Sequence, residues 1–337
     1  MVARKIVIDT DNTMGKPFLW NDDGLAMLYA FGQGELDILG ITTVFGNSSG
    51  KNVYKTTKKF LKAIGKDNIP IKEGANKKGD TDTDAAKFLS EIAASNPGEI
   101  TLLALGPLTN LSGAYKDNRD FFKNLKEIIF MGGITDDWLE LGRIKMRDAN
   151  LKNDLAAALE VLNAECPVTA INCHICTQVP FRHKHLAQVR EFWPKIFLEK
   201  LEIEFWVHKK VHHIDHIFIW DVLVPVYLTN PELFAKNEII IKASTIEDIE
   251  YGRLQSSTSN GVNINMPTTI LNRDEFYKIV ISSWEAFHTH IIKNIGGYKN
   301  FKINSIKKGV MKGLFSIFIP ILLRMMYEKK GDYFYEK

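Results

Sequence analysis

Cysteine is scarce in this chain: three residues, Cys166, Cys173 and Cys176, among 337. That is too few for a disulfide framework, so a reducing cytoplasm is the expected compartment. An excess of one charge is lacking too. The 43 Lys and Arg nearly balance 40 Asp and Glu, for a formal charge of +3, and so small an excess gives no footprint for a nucleic acid. No linker or internal repeat interrupts the chain, and the first strand pattern begins almost at Met1, so no secretory signal is expected. The longest apolar run, GLFSIFIPILLRMMY (313–327), is too short, and too interrupted by Pro320, to cross a bilayer comfortably. Flanked by Lys307, Lys308, Lys329 and Lys330, it is expected to bury against the domain or a partner subunit, with interfacial membrane contact as the second reading. The remainder, with 45% apolar and 25% charged residues overall, is ordinary for a soluble globular protein. Residues 1–304 read as one folded domain and 305–337 as an apolar helical tail.

The chain is organised around residues 5–31, KIVIDTDNTMGKPFLWNDDGLAMLYAF. Lys5–Ile8 is a short apolar strand that ends on two carboxylates, Asp9 and Asp11. A loop with Gly15 and Pro17 follows. Asp22 and Asp23 then open an apolar run (Leu25, Ala26, Leu28, Tyr29) at helical spacing. Four carboxylates therefore gather at the carboxyl end of a first strand, the edge where open α/β sheets bind ligands. They repel unless something positive sits among them, and an all-oxygen set favours Mg²⁺ or Ca²⁺ over zinc. The simpler alternative makes Asp22 an N-cap and Asp9 and Asp11 turn residues; their coincidence at one strand-to-helix junction favours a site.

Strand and helix patterns alternate from there. Residues 36–47 read as a strand ending in a polar loop, 51–64 as a helix, 69–74 as a short strand, and 74–84 as a solvated loop before a helix at 85–94. A strand, Gly-Pro turn and helix fill 100–115. A strand closed by two glycines spans 125–133, an Ala/Leu-rich helix 151–163, and a further strand 167–173. Apolar strands in repeated βα units predict a mostly parallel, Rossmann-like sheet with helices on both faces. Beyond residue 180 the chain turns helical and aromatic. An apolar helix over 217–228 carries one carboxylate, Asp221; strands are expected near 237–243 and 250–256, and an amphipathic helix follows Asp274.

Taken together, IDTDN, NDDGLA, ITTVFGN, LALGPLTNL, IFMGG, DANLKND and IWD stand in the order and approximate spacing found in inosine-uridine preferring nucleoside hydrolases. The resemblance covers nearly the whole chain and is strongest over 5–165. It implies a single Rossmann-like domain that hydrolyses the N-glycosidic bond of ribonucleosides with one Ca²⁺, usually as a homodimer or homotetramer. By position, it places Asp11, Asp23, Asp221 and the main-chain carbonyl of Leu105 on the metal, with Asp11 also the base that activates water. It places Asp22, Asp148 and Asn150 on the ribose hydroxyls, with Asn47 and Met131 at further substrate positions and Asp9 supporting the cluster. This chain departs from the common pattern in three places. NTMGKPFLWN lengthens the loop before Asp22, Asp148 replaces the more usual Glu, and Trp220 stands where many relatives have His. The purine-selective branch stacks Trp there on the base, so a purine preference is expected.

Other motifs compete with this reading. IVIDTDNT also fits the DxDxT opening of haloacid-dehalogenase-like phosphatases, with Asp9 and Asp11 as its carboxylates and GDTDTD (79–84) as a mimic of their late acidic motif. That rival leaves NDDGLA, ALGPLTN and IWD unexplained. A non-catalytic nucleoside-binding protein of the same fold is disfavoured because every metal position keeps a competent residue. Cys173-His-Ile-Cys176 has no second cysteine pair and reads as buried structural thiols. His208 and His212, four apart, suit a solvated or mobile lid better than a metal site, or a wall that protonates the leaving base. Finally, Arg143, Lys145 and Arg147 alternate in LGRIKMRDAN. They read first as a solvated edge and second as an acceptor for a 5′-phosphate.

Overall fold

The computed structural model describes residues 3–16, 19–135, 138–141 and 144–295. The tail read at 305–337 and Arg143 lie outside the described residues. Among the described residues ten strands form: β1 (Arg4–Thr10), β2 (Leu36–Thr43), β3 (Ile71–Glu73), β4 (Thr101–Ala104), β5 (Glu127–Met131), β6 (Leu139–Leu141), β7 (Ile144–Met146), β8 (Val168–Ile171), β9 (Glu238–Ile241) and β10 (Val262–Asn265). Eight of them make one sheet in the order β3-β2-β1-β4-β5-β8-β10-β9. Every neighbouring pair is parallel except β9 with β10. β6 and β7 form a separate antiparallel hairpin.

Alternation along the central strands explains why both faces are covered. Ile6 and Ile8 of β1, Leu103 of β4 and Ile129 of β5 face one apolar core. Val7, Leu102, Ile128 and Phe130 face the other. Successive side chains point to opposite faces of a sheet, so apolar residues at consecutive positions need helices on both sides. The first core takes the helix Asp22–Gly32 and the final helix Arg273–Ile295; the second takes Asp84–Ser95, Thr109–Asp117 and Leu155–Leu162. Trp284 Nε1 of the final helix donates to the Leu25 carbonyl at 3.0 Å, and Ser283 Oγ to the Tyr29 carbonyl at 2.8 Å. These contacts need Gly32, where a Cβ would stand 2.1 Å from the Ser283 carbonyl oxygen.

Several expected elements are redrawn. The helix expected over 151–163 is two, Ala149–Asn153 and Leu155–Leu162, because Asp154 caps the second by accepting from Ala157 N. The helix expected over 217–228 starts late: Ile217 is extended and bridged to Phe181, Trp220–Val222 is a 3₁₀ turn, and the α-helix is Leu223–Thr229. No strand forms over 250–256, where residues Glu247–Gly252 make a 3₁₀ turn, leaving isolated bridges at Arg253 and Ser256. The strand pairing with β9 is β10 instead. Among the described residues, no helix is long and apolar enough to cross a membrane.

Candidate active site

β1 has β2 on one side and β4 on the other, and chain order reverses there. Such a reversal opens a crevice at the strands' carboxyl ends. Asp9, Thr10 and Asp11 enter it from β1, and Leu105 from β4. Asp9 is fully buried; it accepts from Thr42 Oγ1 at 2.5 Å and Asn110 Nδ2 at 2.7 Å. Burial raises its pKa to about 7, partly offset by those two bonds. It is a fixed post behind the site and does not line the cavity, so the phosphatase reading, which needs it as the nucleophile, is not favoured.

Asp11 turns into the crevice. Its Oδ2 accepts from Asn47 N at 2.7 Å and its Oδ1 from Asn47 Nδ2 at 3.1 Å. The loop after β2 approaches so closely that a Cβ on Gly46 would stand 1.9 Å from Asp11 Oδ2. Asp22 and Asp23 open the next helix, where carboxylates suit the positive end of the helix dipole. Thr10 Oγ1 donates to Asp23 Oδ1, and Asn47 Nδ2 reaches Asp23 Oδ2 at 3.3 Å. Asp221 arrives from the 3₁₀ turn, and oxygens of Asp22, Asp23 and Asp221 lie within 4.8 Å of one another.

The electrostatics of this cluster point to a cation. Asp11, Asp22 and Asp221 are all raised well above ordinary carboxylate values, first by burial and then by neighbouring negative charge, that of Asp23 for Asp11 and Asp22 and that of Asp22 for Asp221. Asp23 is raised by burial against opposing hydrogen bonds, that from Thr10 first. Asp22 Oδ1 is buried without a hydrogen-bond partner among the described residues. An oxygen-only set with an orphaned carboxylate oxygen fits a hard divalent ion. Asp22, Asp23 and Asp221 are the residues placed to hold one.

Asp22 and Asp221 line a cavity of about 730 Å³ that is open at its mouth. Asp11, Asp22, Asn47, Leu105 and Asp221 line it, and so do Met131, Asp148, Asn150 and Trp220. Of the ten site residues expected from sequence, only Asp23 stays behind the wall. Asn150 Nδ2 donates to the carbonyls of Leu105 and Met131, each at 3.0 Å. Asp148 caps the Ala149–Asn153 helix, accepting from Leu151 N at 2.6 Å, and Cys173 Sγ lies 3.7 Å from its Oδ2. Burial lifts Asp148 to about 6. Cys173 and Cys176 are buried free thiols, raised by burial, in a short helix just past β8.

Three residues at or behind the wall were not among the expected site residues. Trp20, inside the lengthened loop, lines the cavity; Thr13 Oγ1 pins that loop by donating to the Trp20 carbonyl at 2.8 Å. The ring of His208 meets Trp20 edge-on with centroids 5.3 Å apart and is 1% exposed, so it is no solvated lid residue. Glu204 is buried and accepts from Asn21 Nδ2 at 2.7 Å. An aromatic just before an acidic helix start was the available signal for Trp20; nothing marked Glu204.

An open α/β sheet of Rossmann-like build carries a buried, oxygen-rich acidic crevice at its switch point, where three carboxylates could hold a metal ion. The profile of inosine-uridine preferring nucleoside hydrolases matches residues 6–278, and the chain belongs to that family. It is similar to uridine nucleosidase 1 of Arabidopsis thaliana, with 28% identity over 72% of this chain and 78% of that one. Among solved structures it resembles a purine-preferring ribonucleoside hydrolase from Gardnerella vaginalis, with a TM-score of 0.73 and 18% identity over 85% of this chain and 100% of the other. A plant nucleoside hydrolase gives a TM-score of 0.72 and 22% identity over 83% and 98%. Family membership makes the chain a ribonucleoside hydrolase, an N-glycosidase.

Proposed function

We propose that the chain releases free base from ribonucleosides, purines in preference to pyrimidines, with a calcium ion held by Asp22, Asp23 and Asp221. Bound there, the ion would neutralise the buried carboxylates and favour ionisation of the attacking water near neutral pH. Asp11, held by two hydrogen bonds from Asn47, takes the proton of that water. Asp22, Asp148 and Asn150 hold the ribose hydroxyls. The sugar becomes oxocarbenium-like as the bond breaks, and surrounding carboxylates stabilise that positive charge. Trp220, 7% exposed and 4.6 Å from Phe218 between ring centroids, presents an indole to the departing base, with Trp20 elsewhere on the same wall.

The observation that carries this reading is the convergence of Asp11, Asp22 and Asp221 with Asn150 and Trp220 in one cavity. The test is base release from a panel of purine and pyrimidine ribonucleosides, before and after exhaustive chelation and after calcium is restored. Chelator-sensitive release, fastest on purines, is expected. Full activity after chelation would remove the cation, and equal rates on inosine and uridine would remove the purine preference.

A further inference from the structure

We propose that this cavity takes ribosides carrying a 5′-phosphate, and that Arg147 recognises the phosphate. The inference rests on the nucleoside hydrolase reading of the same cavity and extends it to a substrate class. Among the described lining residues, Asp11, Asp22, Asp148 and Asp221 are anionic and Arg147 alone is cationic. Its guanidinium carbon lies 4.4 Å from the centroid of the Tyr251 ring, and its Nη1 is buried with no hydrogen-bond partner among the described residues. The neighbouring carboxylate does not serve it: Asp148 is engaged by Leu151 N and Cys173 Sγ. The aromatic support continues outward, since Tyr251 packs 5.9 Å from Trp138, over which the Arg253 guanidinium lies at 5.3 Å. Arg147 thus lines the cavity, rests on an aromatic shelf and keeps one donor unpartnered among the described residues.

A buried donor without an acceptor is costly, and a guanidinium without a hydrogen-bonded anion more so. An anion on the ligand would remove that cost, and the planar fork matches phosphate oxygens in pairs. Position indicates where on the ligand the anion belongs. Residue 147 directly precedes Asp148 and Asn150, which the proposed function assigns to the ribose, whereas Trp220 and Trp20 belong to other segments of the wall. The group facing Arg147 is therefore on the sugar. A phosphate on the 2′- or 3′-oxygen would occupy hydroxyls that the carboxylates hold, which leaves the 5′ position. The reaction would convert a nucleoside 5′-monophosphate and water into free base and ribose 5-phosphate.

The experiment uses the full chain with calcium. kcat/KM is measured for inosine and uridine and for their 5′-monophosphates, in wild type, Arg147→Met and Arg147→Lys. Calorimetry compares ribose 5-phosphate with ribose as ligands. A charge-assisted contact of this kind is expected to favour the monophosphates and ribose 5-phosphate about 10- to 100-fold in wild type. Arg147→Met should bring both ratios to about one or below, and Arg147→Lys should fall between because it lacks the fork. Wild type that prefers nucleosides, or a ratio unmoved in Arg147→Met, overturns the inference. If Arg147→Met does not fold, the wild-type ratios and Arg147→Lys still decide it. Base release from nucleosides without a phosphate preference refutes only this inference, whereas no release from any of the four substrates refutes the proposed function with it.

Discussion

Replacing Glu204 with Gln tests how strongly burial acts on the acids around this site. Glu204 lies in the Lys195–Val207 helix, 6% exposed, with Asn21 Nδ2 donating to it at 2.7 Å. Burial raises its pKa from 4.5 to about 8 even though that hydrogen bond pulls the other way. In the unfolded chain the group ionises above 4.5, while the fold holds its proton to about 8. Over that interval the native state binds more protons than the unfolded one, so stability falls as pH rises. The contribution is fully present below 4.5, is lost at about 1.4 kcal/mol per pH unit, and levels off above 8 at a total on the order of 5 kcal/mol. Gln keeps the acceptor for Asn21 and cannot ionise. Urea denaturation of calcium-free protein from pH 5 to 9 should show Glu204→Gln gaining on wild type steadily up to about pH 8, then running parallel. Curves that stay parallel throughout would show that Glu204 is already ionised, or hydrated, in the fold.

Asp23→Asn removes one carboxylate from the cluster with Asp22 and Asp221 and is expected to weaken calcium binding by more than about tenfold; calorimetric titration measures it, and unchanged affinity would take Asp23 out of the ion's ligands. Trp220→Ala should cost about 1–3 kcal/mol of transition-state binding on purine ribosides, read as kcat/KM, with uridine little affected; equal losses on both would leave Trp220 as packing alone. Gly46→Ala forces a methyl against Asp11 Oδ2, and a displacement near 1 Å at a reacting group can cost about 100-fold. We expect kcat to fall by that order while the thermal midpoint moves little, and wild-type kcat would mean the loop can yield without moving Asp11.

How far the sequence revealed this arrangement depended on how local each signal was. Asp9, Asp11, Asp22 and Asp23 sit within fifteen residues, at a strand end and a helix start whose periodicities are plain, so their meeting could be expected from chain order alone. Asn150 and Asp148 were reached through the motif they share with a family, since nothing local says that Asn150 will donate to carbonyls from β4 and β5. The segment 250–256 carries Tyr251 and Leu254 among polar residues, yet Tyr251 adopts a left-handed conformation with φ of 62° and Asp248 accepts from Ser244 and Thr245 N; side chain–backbone bonding of this kind favours turns over ladders. The apolar stretch at 217–228 hid its break because pairing between Ile217 and Phe181 is a long-range contact. His208 is buried against expectation for a related reason. It packs against Trp20, distant in sequence, and against the nearer Phe218, and it begins a π-helical turn, His208–His212, that no periodicity announces.

The helix that carries Asp22 and Asp23 cannot relieve their repulsion by retreating. Behind it, Trp284 and Ser283 hold the Leu25 and Tyr29 carbonyls, and the absence of a side chain at Gly32 lets the final helix close to contact. In front, Thr10 and Asn47 hold Asp23 toward the crevice. Asp221 is likewise fixed in a turn whose neighbours, Val222 and Leu223, are fully buried. Carboxylates clamped from both sides keep their spacing whether or not their charge is neutralised. Their common upward pKa shift follows first from burial. A cation entering such a site finds its oxygens already placed, and little reorganisation opposes its binding. In the proposed function, the same rigidity that destabilises the bare acids would preorganise them for the positive charge that develops on a ribosyl ring.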